Sequence, residues 1–216
     1  MDPNSGKKEM FNKLRKDLAL QKLDEENFKR KTVSFYRYVI LDHPYETRDE
    51  LYKSWNDLGV LGRIYLAHEG INAQLSIPDY NWKKFIYTVH SNKHFHNMLF
   101  KVAVEDNGRS FYKLTIKVRN QIVSDGLPID EYDVTNVGEH LDAREWNKAM
   151  ENGAIVVDMR NHYESEIGKF KGAICPDVET FKEELPIVKN LLKGKEDKQI
   201  LLYCTGGIRC EKTSAY

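Results

Sequence analysis

Two short runs near the C-terminal end, AIVVD (Ala154–Asp158) and QILLY (Gln199–Tyr203), are apolar at almost every position. A strand with one wet face alternates. An unbroken apolar run marks a strand covered by helices on both faces, which is the habit of parallel sheets. The two runs therefore predict a small parallel α/β domain. Helix punctuation precedes the first run in LDAREWNKAMENG. Asp142 suits the N-cap, Glu145 completes a capping box, Leu141 and Trp146 form a staple pair, and Gly153 suits the C-terminal cap. Ligands of such sheets bind beyond the carboxyl ends of the strands. Asp158, Met159, Arg160 and Cys204 fall there.

Cys204 opens the loop CTGGIR, with Arg209 five positions later. Gly206 and Gly207 can adopt conformations closed to other residues, so that several N–H groups converge on one point. If Arg209 lies at the start of a helix, the positive end of that helix aims at the same point. Thr205, Gly206, Gly207 and Ile208 would form the cradle, and a sulfur held there favours the thiolate. A cysteine ending a buried strand is often just a small core residue. The Gly-Gly-x-Arg that follows argues for chemistry instead. A phosphatase-type loop places five residues between Cys and Arg, whereas this one places four. The tighter cradle suits a sulfur or small oxyanion better than a phosphate ester.

The first half of the chain has a different rhythm. VSFYRYVIL (Val33–Leu41) is rich in β-branched and aromatic residues, as strands are. In INAQLSI (Ile71–Ile77) the apolar residues Ile71, Ala73, Leu75 and Ile77 alternate with polar ones. RIYLA (Arg63–Ala67) precedes it across a turn at His68–Gly70 short enough for a hairpin. Helical stripes occur over Tyr45–Leu58 and from Trp82 to Val89. FKVAVE (Phe100–Glu105) and KLTIKVR (Lys113–Arg119) return to strand spacing. The order β-α-β-β-α-β is the ferredoxin-like split βαβ. We therefore expect an overall α/β chain with four parts. Residues 1–31 form a charged leader, helical or partly ordered. An α+β ferredoxin-like (acylphosphatase-like) domain covers 32–123, a turn-rich linker 124–140, and the parallel α/β domain 141–216.

A chain of 216 residues is comfortable for two such domains. Its 33 basic residues balance 33 acidic ones, so any basic surface is local. One is expected on the last strand of the first domain. Lys113, Lys117 and Arg119 alternate with Leu114, Ile116 and Val118, and Arg37, Tyr36 and Tyr38 are candidate neighbours. Such a face suits single-stranded RNA through phosphate contacts and base stacking, although most charged strand faces are merely solvated. Three scattered cysteines point to a reducing compartment. No stretch approaches the roughly 20 apolar residues of a membrane helix, and no apolar signal core opens the chain, so a cytoplasmic location is expected without a membrane. His90, His94 and His96 lack a carboxylate at a fixed short spacing, so no metal site is assigned. No cofactor fingerprint and no protein partner are evident.

VVDMRNHYESEIGKFKGA (Val156–Ala173) followed by YCTGGIR resembles a rhodanese domain. The resemblance implies that Cys204 is the loop cysteine, with Arg209 in its loop, and that Asp158, Arg160 and Glu164 organise the domain beside it. LAHEGINAQLSIP (Leu66–Pro78), KVRNQIVSDG (Lys117–Gly126) and CTGGIRCEK together resemble the bacterial rhodanese-domain tRNA wobble-uridine hydroxylases. That likeness implies oxygen-dependent formation of 5-hydroxyuridine in tRNA, with molecular oxygen as co-substrate and the tRNA anticodon loop as partner. Two alternatives stay open: a sulfurtransferase working through a Cys204 persulfide, and a non-catalytic RNA-binding module. A rhodanese fold continues past the loop helix, so the second domain is expected to be truncated and to lack an edge strand. Cys210 is either a resolving thiol for Cys204 or a small residue packing the helix base.

Overall fold

The structure, a computed structural model, describes residues 14–128 and 131–216. Contacts divide the chain into two compact units, 1–122 and 123–216. Much of the expected leader, residues 1–13, lies outside the described residues. Its described remainder contains α1 (Lys16–Asp24).

The first unit is one five-stranded sheet. The chain runs β1 (Arg30–Tyr38), α2 (Pro44–Asp57), β2 (Leu61–Ala67), β3 (Gly70–Pro78), α3 (Trp82–His90), β4 (Lys101–Val102) and β5 (Leu114–Val118). The strand order is β4-β1-β3-β2-β5. β3 pairs antiparallel with both β1 and β2, which makes this a split βαβ. β5 then adds parallel to β2 at the edge. The alternation read in β3 sets the core: Ile71, Ala73, Leu75 and Ile77 are fully buried with Val33, Phe35, Ile64 and Leu66. α2 contributes Leu51, Tyr52 and Trp55 to that cluster, and α3 contributes Phe85 and Val89. Gly70 is required where the hairpin turns. Its φ is +140°, and a Cβ there would stand 2.0 Å from the Arg37 carbonyl oxygen.

β4 is shorter than Phe100–Glu105 predicts. Only Lys101 and Val102 pair with β1, and Val104 is 98% exposed. Of the alternating apolar residues Phe100 packs on the core, while Val102 and Val104 stay exposed.

The second unit is built as the two apolar runs require. β6 (Ile155–Asp158) and β7 (Ile200–Tyr203) pair in parallel, and Ile174 adds an isolated parallel bridge to Val157. α4 (Ala143–Glu151) precedes them, capped by Asp142 and Glu145 in a complete capping box. α5 (His162–Ile167) and α6 (Phe181–Leu192) fill the crossover, and α7 (Ile208–Ala215) follows the cysteine loop. Val156 and Leu201 pack with Ala149 and Trp146, while Val157 packs with Phe181, Leu185 and Val188. Alternate strand positions thus serve two helical layers.

The stretch expected to be a linker, 124–140, behaves otherwise in its described residues. Val123 and Leu127 pack on the second core. Asp125 is buried, accepts from the Tyr132 hydroxyl and lies 3.1 Å from the Lys212 ammonium, itself fully buried. An ion pair so deeply buried ties this segment to α7, so the second unit begins at Val123 rather than at Leu141.

Candidate functional site

The parallel register places Asp158 opposite Tyr203, so both strand ends open at one edge. Asp158 is buried there among donors. Arg160 reaches it with Nε at 2.8 Å and a terminal nitrogen at 2.7 Å, its backbone N–H at 3.1 Å, and the Tyr203 hydroxyl donates at 2.6 Å. Burial pushes the Asp158 carboxyl up, but these donors outweigh it and hold it below the ordinary carboxylate range. Burial and the bond to Asp158 push the Tyr203 phenol up to about 12. Arg160 also donates to the Gly168 carbonyl at 2.6 Å and lies 5.2 Å over the Tyr203 ring. One buried carboxylate thereby fixes the loop after β6 and the end of β7.

Cys204 follows Tyr203 directly. The Gly207 amide donates to its sulfur at 3.0 Å. The thiol of Cys210 gives the strongest pull toward the thiolate. Against burial, the backbone amides of Cys210, Gly206 and Arg209 add to it, and the Cys204 pKa falls to about 5. The same bond and burial push the Cys210 thiol up. At neutral pH the pair is one thiolate and one thiol. Of the two loop glycines only Gly207 is left-handed, at φ +89° as the N-cap of α7. Gly206 has open space where a side chain would stand.

Arg209 does more than its place in the loop predicts. Its guanidinium spans both oxygens of Glu164, at 2.9 and 3.3 Å, and reaches the Asn161 side chain at 3.4 Å. The Cys204 thiolate also stabilises its charge. Thr205 donates its hydroxyl to the same Glu164. Burial raises the Glu164 carboxyl, but Arg209 and Thr205 bring it below the usual range. The largest influence on Cys204 therefore comes from Cys210, and Arg209 serves chiefly to lock α5 against the loop. Ile208 is the first residue of α7.

Cys204 and Thr205 line an open cleft of about 410 Å³ with Arg160, Lys169, Phe170 and Tyr203. Phe170 and Tyr203 meet edge to face at 4.8 Å between centroids. The cleft thus offers aromatic walls, two cations and an acidic thiol. Sequence reasoning missed two neighbours. Cys175 lies 3.9 Å from Asp158, its thiol raised by burial and by that carboxylate. Glu184 is fully buried in α6. Its signal was available: it stands on the stripe Phe181, Leu185 and Val188, where helical spacing calls for an apolar side chain. Among the described residues no cluster of three or more His, Cys, Asp or Glu could hold a metal ion. His90 and His96 each lie within hydrogen-bond reach of a nearby backbone carbonyl oxygen.

The sheet face of the first unit opposite α2 and α3 carries the expected strand residues. Cross-strand register aligns Tyr36, Asn72, Tyr65 and Lys117 in one row, and Ser34, Gln74, Arg63 and Thr115 in the next. Lys113, Lys117 and Arg119 are exposed, and Arg119 lies 5.9 Å from the Tyr65 ring centroid. Lys101 stands 5.8 Å over Tyr36, which meets Tyr38 edge to face. Arg37 does not belong to this face. It shares strand parity with Val33 and Phe35, and its guanidinium donates to the carbonyls of His94, His96 and Asn97. Its role is to fasten the loop after α3.

Residues 30–122 match the UPF0176 acylphosphatase like domain. A protein of Leptospira interrogans named tRNA uridine(34) hydroxylase is 57% identical over 211 residues, covering 97% of this chain and 58% of its own length. Proteins of the same name from Escherichia fergusonii and Hamiltonella defensa are 43% and 44% identical, across 96% of this chain and 60% and 59% of theirs. The chain is a homologue of these proteins. It spans about three-fifths of the length of the relatives it matches. Its first unit is acylphosphatase-like, as the sheet order and the family match agree. No helix among the described residues is long and apolar enough to cross a membrane.

Proposed function

We propose that this chain carries the cysteine centre and an RNA-binding face of an oxygen-dependent enzyme that hydroxylates wobble uridine in tRNA to 5-hydroxyuridine. The observation that carries the reading is Cys204, whose sulfur accepts from the Gly207 amide and lines an open cleft of about 410 Å³. Homologues named for this reaction supply the substrate. Molecular oxygen is the co-substrate, the anticodon loop is the partner surface, and the cytoplasm is the place of action.

The site residues take roles accordingly. Uracil C5 is a poor nucleophile. A thiolate that bonds to C6 moves the C5–C6 electron pair into an enolate and makes C5 electron-rich, which is covalent catalysis. The wobble base leaves the loop stack to reach Cys204, with Phe170 and Tyr203 as stacking partners. Lys117, Arg119 and Arg63, interleaved with Tyr36 and Tyr65, bind phosphates and bases of the single strand. The second reading, a sulfurtransferase of rhodanese type, draws on the same loop: amides converging on Cys204 also suit the outer sulfur of a persulfide.

Nucleoside mass spectrometry of tRNA from cells with and without the full gene separates the two. Loss of 5-hydroxyuridine, restored by wild type and not by Cys204→Ala, is the expected result. Unchanged 5-hydroxyuridine in the deletion strain refutes the hydroxylase. A wobble 5-fluorouridine tests C6 addition by trapping a protein–RNA adduct.

A further inference from the structure

The apolar stripe of α6 faces Val157 and Met159, and the same cluster takes in Cys204 and Cys210. Glu184 stands on this stripe, fully exposed to neither solvent nor donors: it is buried, and neither carboxylate oxygen has a hydrogen-bond partner among the described residues. An isolated buried carboxyl is costly as an anion, and an apolar residue at that position would be more stable. The groups in its field come from every neighbouring element. Cys204, Arg209 and Cys210 lie on the loop and α7, Asp158 ends β6, and Glu164 is on α5. On α6 itself Lys182 and Glu183 point to solvent. Burial pushes the Glu184 carboxyl up to about 8 against the pull of Arg209, with Asp158, Cys204 and Glu164 adding to the rise. Arg209 is already committed to Glu164. Glu184 is therefore a neutral acid beside the Cys204 thiolate, chiefly because burial penalises its charge and further because Asp158, Cys204 and Glu164 surround it with anions.

We propose that Cys204, Cys210 and Glu184 form a two-electron dithiol centre, in which Glu184 exchanges the protons that make the Cys204–Cys210 disulfide possible. The oxidant is a hydroperoxide. The Cys204 thiolate attacks one oxygen, the O–O bond breaks, and Cys204 becomes a sulfenic acid. The departing hydroxide takes the Glu184 proton and leaves as water. With the sulfur neutral, one of the anions that oppose the carboxylate is gone. It accepts the Cys210 proton, the Cys210 sulfur attacks Cys204, and the S–S bond forms as a second hydroxide leaves with that proton. In sum, thiolate, thiol, hydrogen peroxide and carboxylic acid give disulfide, two waters and carboxylate. The buried negative charge has moved from Cys204 to Glu184. Two electrons is also what hydroxylation by oxygen draws from a source other than its substrate. The proposal rests on the reading of Cys204 as the reactive thiolate, and on Cys204 and Cys210 packing together on the cluster that α6 covers.

The test is timed oxidation of the reduced chain by hydrogen peroxide, with dimedone to trap sulfenic acid and peptide mass mapping. Wild type should give the Cys204–Cys210 disulfide with little adduct, and Cys210→Ser should give the Cys204 adduct. Glu184→Gln, an isostere of the neutral acid, should oxidise at Cys204 yet close the disulfide at least tenfold more slowly. Its closure rate should also lose the rise with pH that ionisation of Glu184 is expected to give wild type. Wild-type closure and pH profile in Glu184→Gln overturn the proposal, as does a wild-type sulfenic acid that never pairs with Cys210. A flat pH profile in wild type overturns it without recourse to any variant. Oxidation of Cys175 ahead of Cys204 overturns the Cys204 reading itself.

Discussion

Replacing Cys210 with alanine removes one donor from the Cys204 sulfur and leaves the backbone amides of the loop in place. Because the Cys210 thiol is the largest pull on Cys204, this change should move the thiol titration more than any other single substitution in the loop. A hydrogen bond to a charged group contributes about 1.5–3 kcal/mol. At about 1.4 kcal/mol per pKa unit, its loss raises the pKa by roughly one to two units. Starting from about 5, the midpoint in Cys210→Ala should lie between roughly 6 and 7. At a pH near 5.5 the thiolate fraction then falls from roughly three-quarters to roughly a tenth, taking the middle of that range. The rate of iodoacetamide addition to Cys204, followed by peptide mass, should fall in proportion. Cys175, whose thiol is raised, should react after Cys204 throughout and serves as an internal reference. Cys210→Ser keeps a hydroxyl donor and should recover part of the shift. A Cys210→Ala midpoint within half a unit of wild type, with the fold intact by circular dichroism, would show that the amides alone make the thiolate.

Glu184→Gln should change how stability depends on pH. The folded carboxyl is raised and the unfolded one is not, so wild type is penalised progressively as pH rises from the ordinary glutamate range toward about 8. The melting temperature of the variant should exceed that of wild type by a margin that widens from pH 5 to pH 8, and a constant margin refutes the burial argument. Neutralising Lys117 and Arg119 together should weaken tRNA binding and lower its salt slope by about two counterions, read from affinity against salt. Arg37→Ala should instead leave that slope alone and lower the melting temperature, since three carbonyls lose their donor. Gly70→Ala should prevent the first unit from folding, because its Cβ would stand 2.0 Å from a carbonyl oxygen. A native far-ultraviolet spectrum would refute that.

What the sequence determined by itself is what depends on periodicity and local chemistry. The alternation of Ile71–Ile77 sets one face of a sheet, and the full apolar runs at Ala154–Asp158 and Gln199–Tyr203 call for two helical layers. Asp142 and Glu145 mark a helix start, and Gly-Gly after Cys204 marks a loop that can close on a sulfur. Each of these signals lies within a few residues of its consequence. The tertiary structure decided what depends on side chains brought together from distant positions. Strand parity turned Arg37 away from the face of Lys117, and within Phe100–Glu105 only Lys101 and Val102 found a partner strand. The buried Asp125–Lys212 pair drew the expected linker into the second unit, 87 positions bridged by one contact. Around Cys204, the loop was legible but its electrostatics were not. Arg209 is held by Glu164 from α5, Cys210 comes from the next helix turn, and Glu184 reaches in from α6. A charge inside a protein is governed by what desolvates and faces it, and those neighbours are assigned only when the chain has folded.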